Sequence, residues 1–203
     1  MTKYFRKTPD VDRQLKELGL SRDGLRKVRR IARHEAAMAG PFHCSNAAGT
    51  FSYQHGTWAL RKENVGKIWA VDHAGGVESI RSDKLKLRVA FANVDATCDD
   101  ERKPKPRSEK GAGAERVTSG VLFGDLPEST PQTTGEWAFY YFMLDEQGGT
   151  ELSWPIIKGG KFVDFVERIY LTDGTEGEDD VFLDDVEGGV AENFDPQVAR
   201  KRQ

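Results

Sequence analysis

The stretch that most constrains this 203-residue chain runs from Glu151 to Leu171, ELSWPIIKGGKFVDFVERIYL. Gly159-Gly160 stands between two runs rich in β-branched and aromatic residues. Glycine takes the positive φ values of a tight primed turn without a Cβ penalty, so the pair marks a hairpin. Folding about it sets Ile157 opposite Phe162, Ile156 opposite Val163 and Trp154 opposite Phe165. One face then carries Leu152, Trp154 and Ile156 with Val163, Phe165, Ile169 and Leu171. The other carries Glu151, Ser153, Pro155 and Ile157 with Phe162, Asp164, Val166 and Arg168. Glu151 falls opposite Arg168 as a favourable cross-strand charge pair.

Two features pull against the hairpin. Phe162, Phe165, Val166, Ile169 and Tyr170 also fit a helical spacing. Pro155 cannot donate to a ladder, so its strand lies at an edge or carries a bulge. The period-two pattern and the residue types favour strands. The apolar run 137–144 pairs nearby through a turn over 145–149.

Upstream, residues 9–18 read as a short helix with Val11, Leu15 and Leu18 on one face. Gly19-Leu20 breaks it, and Ser21 caps a longer helix from Arg22 to about Ala39, ended by Gly40-Pro41. Leu25, Val28 and Ile31 or Ala32 step along its apolar stripe. Arg22, Arg26, Lys27, Arg29, Arg30 and Arg33 crowd the polar one. Helix, Gly-Leu-Ser turn and basic helix have the outline of a helix-turn-helix DNA reader. The same outline occurs in many folds, and the third helix that completes the motif is not legible.

Residues 42–91 read as short strands: 50–53, 57–60, 67–71 and 84–92, with glycines at 49, 56, 66 and 75–76 as turns. In the last of these, Leu85, Leu87, Val89 and Phe91 face one way and Lys84, Lys86 and Arg88 the other. Residues 96–120 are a loop by composition, nearly without large apolar side chains. Its Lys103, Lys105, Arg107, Lys110 and Arg116 have the spacing to track a phosphate backbone. Residues 121–123 are a further strand candidate.

The net charge of −3 conceals a division. Residues 1–120 hold 24 Lys and Arg against 15 Asp and Glu; residues 121–203 hold 6 against 18. Nine acids and no Lys or Arg fall between Asp173 and Glu192, the composition of an acidic tail. No apolar run is long enough for a membrane span. The opening residues lack the apolar core of a signal peptide. Two cysteines, Cys44 and Cys98, are too few for a disulfide scaffold, which makes a reducing cytoplasm the expectation.

The sequence therefore predicts an α+β protein in three parts. Residues 1–40 form a basic helical pair, and residues 41–171 a mainly antiparallel β-sheet domain with a long basic loop over 96–120. Residues 172–203 form an acidic, flexible tail. No phosphate loop, G-x-G-x-x-G, G-x-S-x-G or EF-hand spacing occurs, which favours binding over catalysis and implies no cofactor.

The expected partner is nucleic acid, held by Arg22, Arg26, Lys27, Arg29, Arg30 and Arg33 and by Lys103, Lys105 and Arg107. Exposure of Phe51, Tyr53 or Trp58 beside Arg61 and Lys62 would favour a single strand. An alternative is a protein partner docked on the acidic tail, as for an inhibitor or adaptor. A third reading is a metal-dependent hydrolase built on His43, His55, His73 or Asp72, with Cys44 and Cys98 as further ligands, although none stand at metal-site spacing.

Overall fold

A polar connection can hold a sheet face only if its own polar groups find partners there, and this chain uses that device. The structure, a computed structural model, describes residues 2–119 and 137–174. Seven strands make one mixed sheet: β1 (Lys3–Phe5), β2 (Ala70–Asp72), β3 (Ser79–Ser82), β4 (Leu87–Asn93), β5 (Ala138–Leu144), β6 (Thr150–Lys158) and β7 (Lys161–Thr172). Their order is β1-β7-β6-β5-β4-β3-β2. Two pairs, β1 with β7 and β4 with β5, are parallel. The other four pairs are antiparallel, so the expectation of a mainly antiparallel sheet holds in part: the sheet is mixed. The segment joining β4 to β5 is long enough to cross over, so the two central strands run in the same direction.

Three helices cover one face: α1 (Thr8–Glu17), α2 (Arg22–Ala37) and α3 (Ala47–Asn64). Gly19, at φ +68°, closes α1 with Leu20 N–H donating to Leu15 O and Gly19 N–H to Lys16 O. Ser21 Oγ accepts from Gly24 N–H at 3.0 Å, the expected cap of α2. Val11, Leu15, Leu25, Val28 and Ala32 bury against Val89, Phe91, Phe142, Leu152 and Ile169 of the sheet. Each such buried aliphatic side chain contributes about 1.5–3 kcal/mol.

Residues 50–53 and 57–60 belong to α3 and not to strands. Apart from Leu60, the buried side of α3 is made of small residues, Ala47, Ser52, Gly56, Thr57 and Ala59. A Cβ on Gly56 would stand 2.6 Å from the Phe91 ring, so the helix lies very close to β4. Its aromatic residues Tyr53 and Trp58 therefore face outward. That inverts the usual pattern and explains why these segments resemble strands in the sequence.

The second face holds Ala90, Ala92, Phe139, Tyr141, Met143, Ile157, Phe162 and Phe165. It is covered by the segment predicted to be a loop. Val94 bridges to Pro106, Asp95 N–H donates to Lys105 O, and Arg107 N–H donates to Asn93 O. A short helix, α4 (Ala112–Ser119), follows inside the same segment.

The β6–β7 hairpin forms about Gly159 and Gly160, both at positive φ, with Ile157 opposite Phe162. Beyond that pair the expected register fails. Ile156 faces Asp164, Pro155 faces Phe165, Trp154 faces Glu167 and Ser153 faces Arg168. Register shifts leave Val163, Val166 and Leu171 as extra residues on β7. Each extra residue reverses the side-chain alternation, so Phe165 joins the second face and Val163 is exposed.

No helix among the described residues is long and apolar enough to cross a membrane. The strand expected at 121–123 and most of the acidic tail, residues 175–203, lie outside the described residues.

Candidate functional site

The parallel pair β4–β5 ends at Asn93 and Leu144, and a cleft of about 920 Å³ opens beyond those carboxyl ends. Ends of parallel strands are where sheets of this kind take ligands. Asn93 fixes one wall: its Oδ1 accepts from Ser52 Oγ at 2.8 Å and its Nδ2 donates to Gly49 O at 2.9 Å. The first turns of α3 are thereby held over the cleft. Asp145 fixes another wall by accepting from Thr97 N–H, Thr97 Oγ1 and Gly149 N–H. Arg33 of α2 and Arg107 and Lys110 of the 94–111 segment bring cationic groups to the lining.

Lys110 differs from the other lysines nominated from the sequence. Its backbone N–H donates to Gly160 O at 2.9 Å, pinning it to the β6–β7 turn. Its Nζ lies 5.2 Å from the Tyr141 ring centre and 6.0 Å from that of Phe162. No carboxylate among the described residues pairs with it. Burial without an acidic partner pushes its pKa down to about 8.

The basic helix α2 divides its charges between two directions. Arg22, Arg29 and Arg33 turn toward the sheet. Arg22 pairs with Asp12 at 2.7 Å and donates to Leu171 O at 3.1 Å. Arg29 Nε donates to Gly148 O at 2.6 Å, and the Arg33 guanidinium packs on Gly148. Lys27 reaches Glu63 of α3 at 3.3 Å and Arg30 is partly exposed, whereas Arg26, 3.9 Å from Asp23, is exposed but lines a small depression with Arg22, Arg29, Thr150 and Leu171. On α3 the outward residues include Trp58, 51% exposed, with Lys62 Nζ 4.8 Å from its ring centre. Tyr53 is also exposed, while Phe51 is half-buried against the His43 ring.

No family model, no curated protein and no solved structure matches this chain. Its functional reading therefore rests on its own geometry.

The remaining nominated cations sit on the second face of the sheet. Lys103 donates to Val163 O at 3.0 Å and pairs with Asp164 at 3.1 Å. Lys105 is exposed, its backbone locked to Asp95, and Arg107 pairs with Glu146. The two nominated groups lie on opposite sides of the sheet and meet only at the cleft, where Arg33 and Arg107 share the lining. Their helix and segment are positioned by the packing described above.

The histidines and cysteines are dispersed. His43 Nδ1 accepts from Gly40 N–H at 2.9 Å, His55 faces Glu35 at 3.6 Å, and His73 faces Glu78 at 2.8 Å. Asp72 is buried and committed to Arg88 and Ser79. Cys44 is exposed, whereas Cys98 is folded under the sheet, where burial pushes its thiol up to about 12. Among the described residues no group of three or more His, Cys, Asp or Glu gathers as a metal site.

Asn93 and Ser52, which shape the cleft, were not nominated as site residues from the sequence, and Tyr53 was named only as a stacking face for a strand. The signal present there was the i, i+4 spacing of Ser52, Gly56 and Leu60, two small residues and an aliphatic one on a single helical stripe. The isolation of Lys110 had no sequence signal, because it depends on which acids the fold places elsewhere.

Proposed function

We propose that the protein binds single-stranded nucleic acid on the outward side of the α2–α3 layer. The observation that carries this reading is Trp58, half exposed with Lys62 over its ring. Arg26, Lys27 and Arg30 stand on the neighbouring helix. An exposed indole offers a stacking face to any base, and adjacent cations meet the phosphates that flank it. Lys62 keeps its charge near the ring, and Lys27 is tethered by Glu63 next to Lys62 in the same helix, which gathers these groups.

The reading assigns phosphate contact to Arg26, Lys27, Arg30 and Lys62 and base stacking to Trp58. It assigns Arg22 and Arg29 to the fold, because their guanidinium groups are already engaged with Asp12, Leu171 O and Gly148 O. Lys103, Lys105 and Arg107 make a separate set, supporting at most a second passage of a long strand around the molecule.

The test is a titration of the full chain with labelled 20-nucleotide DNA and RNA strands at several salt concentrations. Affinity should fall steeply as salt rises. Trp58→Ala should weaken binding by about 1–3 kcal/mol. Absence of binding to either strand at low salt removes the reading.

A further inference from the structure

Gly174, the last described residue, fixes where the acidic part of the chain leaves the fold. A Cβ on it would stand 2.6 Å from Gln147 O and 2.9 Å from Gly149 N, so its backbone lies against the turn over 145–149. Arg29 and Arg33 of α2 rest on Gly148 of that same turn. Just before it, Leu171 and Thr172 line the small depression shared with Arg22, Arg26 and Arg29. Residues 175–192 therefore start beside the arginine row of α2. They carry eight acids and no Lys or Arg.

We infer that residues 175–192 dock along the basic side of α2 and compete there with a nucleic acid strand, an inference that rests on the strand-binding reading above. Charge complementarity selects this occupant. Within its own length α2 sets Arg22, Arg26, Lys27, Arg29, Arg30 and Arg33 against Asp23 and Glu35. Asp23 is exposed and 3.9 Å from Arg26, a pair that water and salt weaken. Arg26 links the two roles: it lines the depression where the segment begins, and it is one of the cations assigned to phosphate.

Length permits the contact. The 16 residues of α2 span about 24 Å, whereas 18 residues of extended chain reach about 60 Å. Tethering makes the encounter intramolecular, at an effective concentration on the order of millimolar. Single exposed ion pairs are weak, so a strand of higher charge density displaces the segment. If the segment covers α2 in about 90% of chains, apparent strand affinity falls about tenfold.

The experiment places a spin label at Phe182→Cys in the full chain, with Cys44→Ser removing the exposed native thiol. Magnetic resonance should show the amide signals of residues 26–30 broadened at low salt and recovered at about 0.5 M salt. They should also recover when Glu176→Gln, Glu178→Gln, Asp179→Asn, Asp180→Asn, Asp184→Asn and Asp185→Asn are combined. Without the label, that neutralised chain should bind the labelled strands about five- to tenfold more tightly at low salt, with the difference closing as salt rises. Unbroadened α2 signals at low salt overturn the proposal, as does equal broadening in the neutralised chain. Equal strand affinity of the two chains overturns the competition. Broadening that grows with protein concentration overturns it as well, by placing the segment on a second copy. The label reads docking with no strand present. Chains that show the broadening but bind no strand would remove the strand-binding reading alone, so the two failures are distinguishable.

Discussion

Glu151 and Arg168 meet in a doubly hydrogen-bonded ion pair, Nε to Oε1 at 3.0 Å and the terminal nitrogen to Oε2 at 2.7 Å, with side chains 0% and 1% exposed. They are not directly opposed in the ladder: Glu151 faces Tyr170 and Arg168 faces Ser153. The pair forms on the diagonal, where long side chains still reach. Arg168 also donates to Asp99 O and Arg102 O, and Cys98 N–H donates to Glu151 Oε2. One buried ion pair thus anchors the polar segment that covers the second face. Burial alone disfavours the Arg168 charge, but Glu151 overcomes it and raises the Arg168 pKa.

Removing one partner leaves a buried charge uncompensated. Glu151→Gln and Arg168→Met should each lower unfolding free energy by about 3–5 kcal/mol in urea titrations. The double variant Glu151→Leu, Arg168→Met should lose less than the sum of the two single changes. A fully additive double variant would show that the residues act independently.

The close approach of α3 to β4 predicts an unusual cost for a helix-favouring change. Gly56→Ala gains up to about 1 kcal/mol of helix propensity. It also drives a methyl group into the Phe91 ring, 2.6 Å from the position of the new Cβ. Overpacking of this sort costs about 1–3 kcal/mol, so the net change should be destabilising. Thermal or urea unfolding decides the sign.

Arg29 and Arg30 are adjacent in sequence but serve different surfaces. Arg29→Met removes the bond to Gly148 O and should destabilise by about 1–2 kcal/mol. Arg30→Met should leave stability within about 0.5 kcal/mol. It should also weaken strand binding evenly across base sequences and reduce the salt slope by about one phosphate. Paired unfolding and binding titrations separate the two roles.

Lys110 makes stability depend on pH in a direction opposite to that of a paired lysine. Its folded pKa, about 8, lies below the value of 10.5 ordinary for the group. Between those values the unfolded chain holds more protons, so stability rises with pH from about 8 to 10.5. Below that window the charged amine is a fixed cost in the folded state. Lys110→Met should therefore stabilise the protein at pH 7 by on the order of 2 kcal/mol, with the gain shrinking at pH 9.5. Equal gains at both pH values would place the effect in packing rather than charge.

The sequence by itself determined α1, α2 and the hairpin turn. Val11 and Leu15, the Ser21 cap and Gly159-Gly160 act within a few residues of themselves, so their signal is local. The face alternation of β4, with Leu87, Val89 and Phe91 on the helical side, was legible for the same reason. Only the tertiary structure decided the rest. The identity of α3 turned on Gly56 and Phe91 meeting across 35 positions. The parallel course of β4 and β5 turned on the long segment between them. Which arginines of α2 remain outward turned on Gly148 and Leu171, distant in sequence. The physical reason is common to all of these. A charge or a small residue has no fixed meaning along the chain; it acquires one from the group that folding brings against it.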